Sequence, residues 1–517
     1  MANKNLFESV LGRWLPRTNT SNSEGAPAYA FNSRHALAQY AVTGCLNATF
    51  YATAEMQLAD VHRLALDVAP EFLAKTALYA RQRGAMKDMP AFLCAVLSVR
   101  SPGLMAEIFD RVIDSPKMLR NFVQIMRSGA VGRKSLGTLP KRLVQDWLEQ
   151  RSDESLFIGS VGNAPSLADI IRMVHPRPAT RTRKALYAYL VGRDFEVADL
   201  PELVQQFEAF KRDRSREVPD VPFQMLTSLK LSPQAWHVVA QRSSWQTARM
   251  NLNTFARHGV FNDPEAVSEM SRKLADAALI NRARAMPYQL LAAYRMTANV
   301  PQPIAAALQS AMEIATQHVP DFQQRVVVCP DVSGSMVSPV TGYRKGATSA
   351  VRCVDVSALV AAAVLRRNTG AEVLAFAADI VPQRLNAADT VTTNAEKLAA
   401  IGGGGTNCSD PLRELNRRGA HVDLIIYISD NQSWIGAGAA GEATGTMQQW
   451  KVLKKRNPGA RMVCIDLVPN ANSQAVESAD ILNIGGFSDA VFEVIRHFAS
   501  GELQPGHWVS VIENQRL

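Results

Sequence analysis

Near residue 321 the hydrophobic pattern of the chain changes period, and that change limits the fold more than any other feature. From about 31 to 320 the apolar residues recur at helical spacing almost throughout. Ser101-Pro102 predicts a helix start, with serine as cap and proline in the first turn. Leu104, Met105, Ile108, Phe109, Val112 and Ile113 then form one apolar stripe. Ser115-Pro116, Ser232-Pro233 and Asp263-Pro264 repeat the start, and Pro70 to Gly84 reads as a helix closed by a glycine cap. Helices of this length with short polar turns imply stacked pairs, a HEAT-like repeat with a degenerate period. Beyond 321 short continuous apolar runs take over: Arg325–Asp331, AEVLAFAADI, VDLIIYISD (422–430) and RMVCIDLV (461–468). Helical stretches through 353–368, near 409–418 and near 446–456 separate them. Such alternation predicts an α/β doubly wound parallel sheet, whose ligands sit at the carboxyl ends of the strands.

The expected organisation is therefore a flexible arm over 1–30, a helical-repeat domain over 31–320, an α/β domain over 321–500 and a tail over 501–517. No apolar run reaches the roughly 18 residues of a membrane span. The start MANKNLFESVLGRWLP lacks the pattern of a secretory leader, and the six cysteines show no CxxC pair. Reduced thiols, a cytoplasmic location and no membrane partner are expected. Charge is divided unequally. Residues 1–320 carry 38 Lys+Arg against 28 Asp+Glu, and residues 321–517 carry 18 against 19. The basic excess lies wholly in the helical part, where a polyanion would bind.

The first strand of the α/β part ends in Asp331-Val332-Ser333-Gly334-Ser335. One carboxylate and two hydroxyls at alternate positions offer three oxygens to a hard cation. Magnesium suits such ligands, with manganese or calcium as alternatives. The glycine run 402–405 can carry Thr406 to the same strand ends, and Asp430 closes the strand LIIYISD. Together they predict a divalent-metal site of Asp331, Ser333, Ser335, Thr406 and Asp430. No catalytic constellation accompanies it. A phosphatase nucleophile at Asp331 would want a second aspartate where Ser333 stands, neither glycine loop has the phosphate-loop spacing, and no HExxH occurs. An enzyme is not expected.

Residues 322–500 resemble the von Willebrand factor A domain with its metal-ion-dependent adhesion site. By that resemblance Asp331, Ser333 and Ser335 form the first motif, Thr406 the second and Asp430 the third. An acidic residue of a protein partner would complete the site. In the helical part, GCLNATFYATAEMQL (44–58), ALYARQRGAMKDMPAFLCAVL (77–97), GRKSLGTLPKRLVQDWL (132–148), SLADIIRMVHPRP (166–178) and ARMNLNTFARHGVF (248–261) resemble the TROVE module of the Ro autoantigen family. Module followed by A domain is also that family's order, and bacterial Ro-type proteins share it. The resemblance implies a ring of helical repeats that binds small structured noncoding RNAs (Y RNAs) and the single-stranded ends of misfolded RNAs. It also implies RNA quality control with an exoribonuclease as a partner.

The candidates for RNA contact are Arg127, Arg133, Lys134, Lys141 and Arg142, within a span, 127–184, of 11 Lys+Arg against 5 Asp+Glu. A helix opening after Pro140 would place Lys141 and Gln145 on one face while Leu143, Val144, Trp147 and Leu148 pack inward. His175 matches a histidine that the family uses near RNA. Family members that bind Y RNA carry basic residues where this chain has Phe157-Ile-Gly-Ser-Val-Gly162. That departure bears on the detailed Y RNA contacts and not on RNA binding itself. Two functions of different class follow: a noncatalytic RNA chaperone or scaffold of the Ro type, and a metal-dependent protein-interaction adaptor without RNA.

Overall fold

A computed structural model describes residues 15–283, 287–317, 319–343, 351–486, 488–503 and 506–517. The chain divides into two compact units. One is built from the chain up to Val68 and from Thr316–Asn514; the other comprises Ala69–Ala315 and Gln515–Leu517.

The second unit is helical. Helices Pro70–Gln82, Asp88–Arg100, Pro102–Val112, Pro116–Ser128 and Thr138–Gln150 follow one another with short turns. Helix 88–100 packs against 70–82, 102–112 and 116–128. The apolar stripe of helix 102–112 points inward, with Met105, Ile108, Phe109 and Val112 buried. Each large side chain so buried contributes about 1.5–3 kcal/mol. Ser115, Ser232 and Asp263 accept hydrogen bonds from Met118, Ala235 and Glu265 backbone amides, as N-caps do. Ser101 does not. It closes helix 88–100, donating its amide to the Leu97 carbonyl, and its hydroxyl makes no cap bond. Gly84 is not the left-handed residue after helix 70–82; that conformation falls on Ala85, at φ 54°. Gly84 is small for another reason: a Cβ there would lie 2.9 Å from the Ala80 carbonyl oxygen.

Among its described residues the other unit has the strands Thr20–Ser21 (β1), Pro27–Ala30 (β2), Val326–Pro330 (β3), Glu372–Val373 (β4), Leu424–Ser429 (β5), Arg461–Asp466 (β6), Asn472–Ser473 (β7) and Ile481–Gly485 (β8). Five form a parallel sheet in the order β4-β3-β5-β6-β8. β3 and β5 are buried along their whole length, hence their unbroken apolar sequences. The run AEVLAFAADI yields only the two-residue β4, with further single bridges from Phe376 to Asp331 and to Ile380. Helices Cys353–Arg367, Asp410–Arg417 and Gly445–Arg456 fill the expected crossovers.

The ends of the chain depart from expectation. Residues 15–30 are not a loose arm: β2 pairs with both β1 and β7, and Tyr29 enters the core beside Tyr427 and Trp450. The Tyr29 hydroxyl donates to the Pro16 carbonyl and accepts from the Thr444 amide. Extended backbone needs partners for its amides, and β7 supplies them. Residues 1–14 lie outside the described residues. The helical domain starts at 69 rather than 31, because helix Ser33–Thr43 packs on β8 and Gln39 donates to Asp466 at 2.8 Å. The tail also folds. Helix His507–Glu513 packs on 33–43 and β8, with Trp508 buried edge-on to His35.

Candidate functional site

Asp331 follows β3 directly. Its amide donates to the Ile428 carbonyl, which holds it between the ends of β3 and β5. One carboxylate oxygen accepts from the Ser333 amide at 2.8 Å and the other from the Ser429 hydroxyl at 2.6 Å. The Ser333 and Ser335 hydroxyls stand 3.4 Å apart. The glycine loop reaches this point through its backbone, since Gly334 donates its amide to the Gly404 carbonyl at 3.0 Å. Gly403 and Gly404 adopt φ 108° and 85°, open to glycine and strained for other residues. Thr406, two residues on, is buried, and its carbonyl accepts from the Trp434 and Ile435 amides of the loop after β5. Asp430 follows β5 directly, beside Ser335, and accepts from the Gln432 amide at 3.3 Å. Asp331, Ser333, Ser335 and Asp430 thus form one cluster, with Thr406 on a loop tied to both sides of it.

The electrostatics are those of a site short of positive charge. Asp331 and Asp430 are almost fully buried, and neither has an ion-pair partner among the described residues. Burial first, and then the neighbouring Asp331 charge, push the Asp430 carboxyl up to about 7. Asp331 is raised too, chiefly by burial. Among the described residues no three of His, Cys, Asp and Glu gather closely enough to hold a metal by themselves. The donor set is therefore mixed: two carboxylates and up to three hydroxyls, all oxygen. That chemistry fits magnesium, manganese or calcium and suits soft or nitrogen-seeking metals poorly.

The second candidate surface lies in the helical unit. Arg127 is in the last turn of helix 116–128, and Arg133 and Lys134 are on the loop that follows. Lys141 and Arg142 lie in the first half of helix 138–150, which begins at Thr138, two residues before Pro140. His175 closes helix Leu167–Val174 in the left-handed conformation, at φ 51°. Gln145 joins the last two elements, donating to the Val174 carbonyl at 2.6 Å and the His175 carbonyl at 3.3 Å. Helices 116–128 and 138–150 both pack on 167–174. Val144, Trp147 and Leu148 are buried as the face requires, while Leu143 is half-buried. Arg127, Lys134, Arg142 and His175 are exposed, and Arg133 and Lys141 are half-buried. None of the five lysines and arginines among them pairs with a carboxylate among the described residues. The neighbouring Arg172, Arg181 and Arg183 do, with Asp169, Asp199 and Asp153.

Residues 325–499 match the family model of the Ro60 von Willebrand factor A domain. The RNA-binding protein RO60 of Deinococcus radiodurans is 25% identical over 97% of this chain and all of its own length. Along almost its whole length this chain is similar to Ro-type proteins. A crystal structure of the D. radiodurans RO (RSR) protein has the same fold, with a TM-score of 0.61 at 21% identity over 91% of this chain and all of that one. The RNA-binding protein RO60 of Caenorhabditis elegans is 23% identical over 54% of this chain and 43% of its own. These RO60 relatives are named for RNA binding and not for a catalysed reaction. No helix among the described residues of this chain is long and apolar enough to cross a membrane.

Sequence reasoning missed several residues around the candidate sites. Ser429 holds the second Asp331 oxygen, and only the alternation of β5 hinted that its side chain faces the site. Arg177, exposed and without a carboxylate partner among the described residues, extends the basic surface two residues beyond His175. Tyr51, from the first seventy residues, lies beside Ser335 of the Asp331 cluster. No local signal marked it.

Proposed function

We propose that this chain binds RNA through the helical unit, as a noncatalytic chaperone or scaffold for small structured noncoding (Y-like) RNA and the single-stranded ends of misfolded RNA. The observation that carries the proposal is the set of cations at Arg127, Arg133, Lys134, Lys141 and Arg142, without carboxylate partners among the described residues, on the end of one helix, the loop after it and the first half of the next. Cations left without carboxylates are free to neutralise phosphates, and such binding tolerates sequence variation. The names of the RO60 relatives support the same reading. RNA held by a single-stranded end is in the form that an exoribonuclease consumes, which makes such an enzyme a fitting cytoplasmic partner. The direct test is filter binding of a fluorescent single-stranded oligoribonucleotide across a salt series. Log affinity should fall linearly with log salt, by about 0.7 per phosphate contact. A flat response would leave the adaptor function instead.

The other unit would bind a divalent cation, magnesium foremost, through Asp331, Ser333, Ser335, Thr406 and Asp430. The ion would supply the positive charge that the buried carboxylates lack, and an acidic group of a protein partner is the natural further ligand. Calorimetric titration with magnesium, beside an Asp331→Ala control, tests this.

A further inference from the structure

Two segments remote in sequence from the metal cluster reach it from different sides. The turn between β1 and β2 is fixed by Asn22, whose side-chain oxygen accepts from the Glu24 and Ala26 amides. That turn is tied to the loop after Asp430. Asn22 donates to the Ser433 carbonyl at 2.7 Å, and the Ser23 amide donates to the Gln432 side chain at 2.7 Å. The second segment, 45–52, is tied to the loop after Ser335. The Tyr343 amide donates to the Ala48 carbonyl at 2.7 Å, and Asn47 donates to the Thr341 carbonyl at 2.9 Å. Where the two meet, the Tyr51 hydroxyl lies against both Ser335 and Glu24. Glu24 has no cation partner among the described residues, and its charge acts on Asp430. Asp331 and Asp430, buried without an ion-pair partner among the described residues, repel one another, and the Glu24 charge adds to that repulsion unless a cation stands between them.

We propose that Glu24 and Tyr51 close the outer face of the metal site from within the chain, in the place that a partner's carboxylate would take. The proposal rests on the divalent-metal reading of the cluster. Glu24 acts through the Tyr51 hydroxyl and is a positioning residue rather than a direct ligand, consistent with the absence of three clustered acids. A bound ion then ties the β1–β2 turn and segment 45–52 to the strand ends. An outside carboxylate gains the ion only by displacing them.

The test is Mn2+ binding by the full chain, followed by calorimetry and by the electron paramagnetic resonance of the bound ion, with and without millimolar acetate as the carboxylate probe. Wild type should bind one Mn2+ and show no change on adding acetate. Glu24→Gln should weaken Mn2+ about three- to tenfold, the effect of removing one partly screened charge. In both Glu24→Gln and Tyr51→Phe, acetate should tighten Mn2+ binding and alter the spectrum, and Glu24→Asp should restore wild-type behaviour. Unchanged affinity and no acetate response in both variants would overturn the cap, as would an acetate response already present in wild type. If wild type bound no Mn2+, or if Asp331→Ala bound it equally well, the metal reading itself would fall and the cap with it.

Discussion

Two basic stretches of the chain have similar local charge and opposite circumstances. Lys451, Lys454, Lys455 and Arg456 are the densest basic run of the A-type unit, yet much of their charge is already in use. Lys454 pairs with Asp480 at 3.1 Å, donates to the Pro458 and Ala460 carbonyls, and lies over the Trp450 ring. Arg456 donates to Asn416. Arg133, Lys134, Lys141 and Arg142 have no carboxylate partners among the described residues and stand around helix ends. Charge density in a sequence therefore does not mark a polyanion site. What marks it is charge that the fold has left unanswered. The Asp331–Asp430 cluster shows the same with the sign reversed, since its carboxylates have no ion-pair partner among the described residues.

If the two units divide the work in this way, Asp331→Ala should abolish detectable magnesium and manganese binding in calorimetry while leaving single-stranded RNA affinity within about twofold. Loss of RNA binding in a folded Asp331→Ala protein would break the division. The next largest effect belongs to the basic surface. Replacing Arg133, Lys134, Lys141 and Arg142 with glutamine should reduce the salt slope by up to roughly three units and weaken every RNA tested. The same change at Lys451, Lys454, Lys455 and Arg456 should leave the slope nearly unchanged. It should instead lower the thermal stability, by about 1–2 kcal/mol, through the Lys454 contacts. Equal RNA losses in the two variants would reduce the site to diffuse attraction.

A third expectation concerns pH. The Asp430 carboxyl, raised to about 7 in the folded metal-free chain, must lose its proton to bind a cation. Metal affinity should therefore fall by up to about tenfold per unit as pH drops below 7. Stability moves the other way. A folded pKa above the unfolded value stabilises at low pH, and that contribution is lost as pH rises from about 4 through 7. In chelator the melting temperature should be higher at pH 6 than at pH 8 on this account, and Mn2+ should raise it more at pH 8. Glu477, also raised to about 7 by burial, adds to the trend in chelator and should not respond to metal. The smallest effect is reserved for His175→Ala. Its ring is exposed, and Gln145 grips only the backbone, so RNA affinity should fall by a few-fold without loss of fold. A loss as large as that of the four-cation variant would move the centre of the site to the end of helix 167–174.

The sequence made some of this legible and hid the rest for physical reasons. Buried parallel strands announce themselves as unbroken apolar runs, so β3, β5 and β6 could be read, and with them the strand ends where Asp331 and Asp430 stand. β4 could not be sized, because AEVLAFAADI is apolar for burial while only two of its residues pair in register. β8 went unread because Asn483 interrupts ILNIG; its side chain is satisfied by the Ala475 carbonyl and Glu477. Asn22, Glu24 and Tyr51 carried no signal at all. Their relation to the Asp331–Asp430 cluster is made by contacts that span hundreds of residues, and no short pattern encodes those.

The interleaved make-up of the A-type unit also bears on how the protein is made. β2 waits for β7, which follows it by more than 440 residues, and helix 33–43 waits for helix 507–513. A ribosome adds roughly 5–20 residues each second, so the first pieces of this unit emerge tens of seconds before their partners. The helical residues 69–315 leave the exit tunnel complete in the meantime and can fold first. During that interval β2 presents an unpaired edge, the kind of surface that nascent-chain chaperones protect. A stop codon anywhere before Asn472 would leave that edge permanently uncovered.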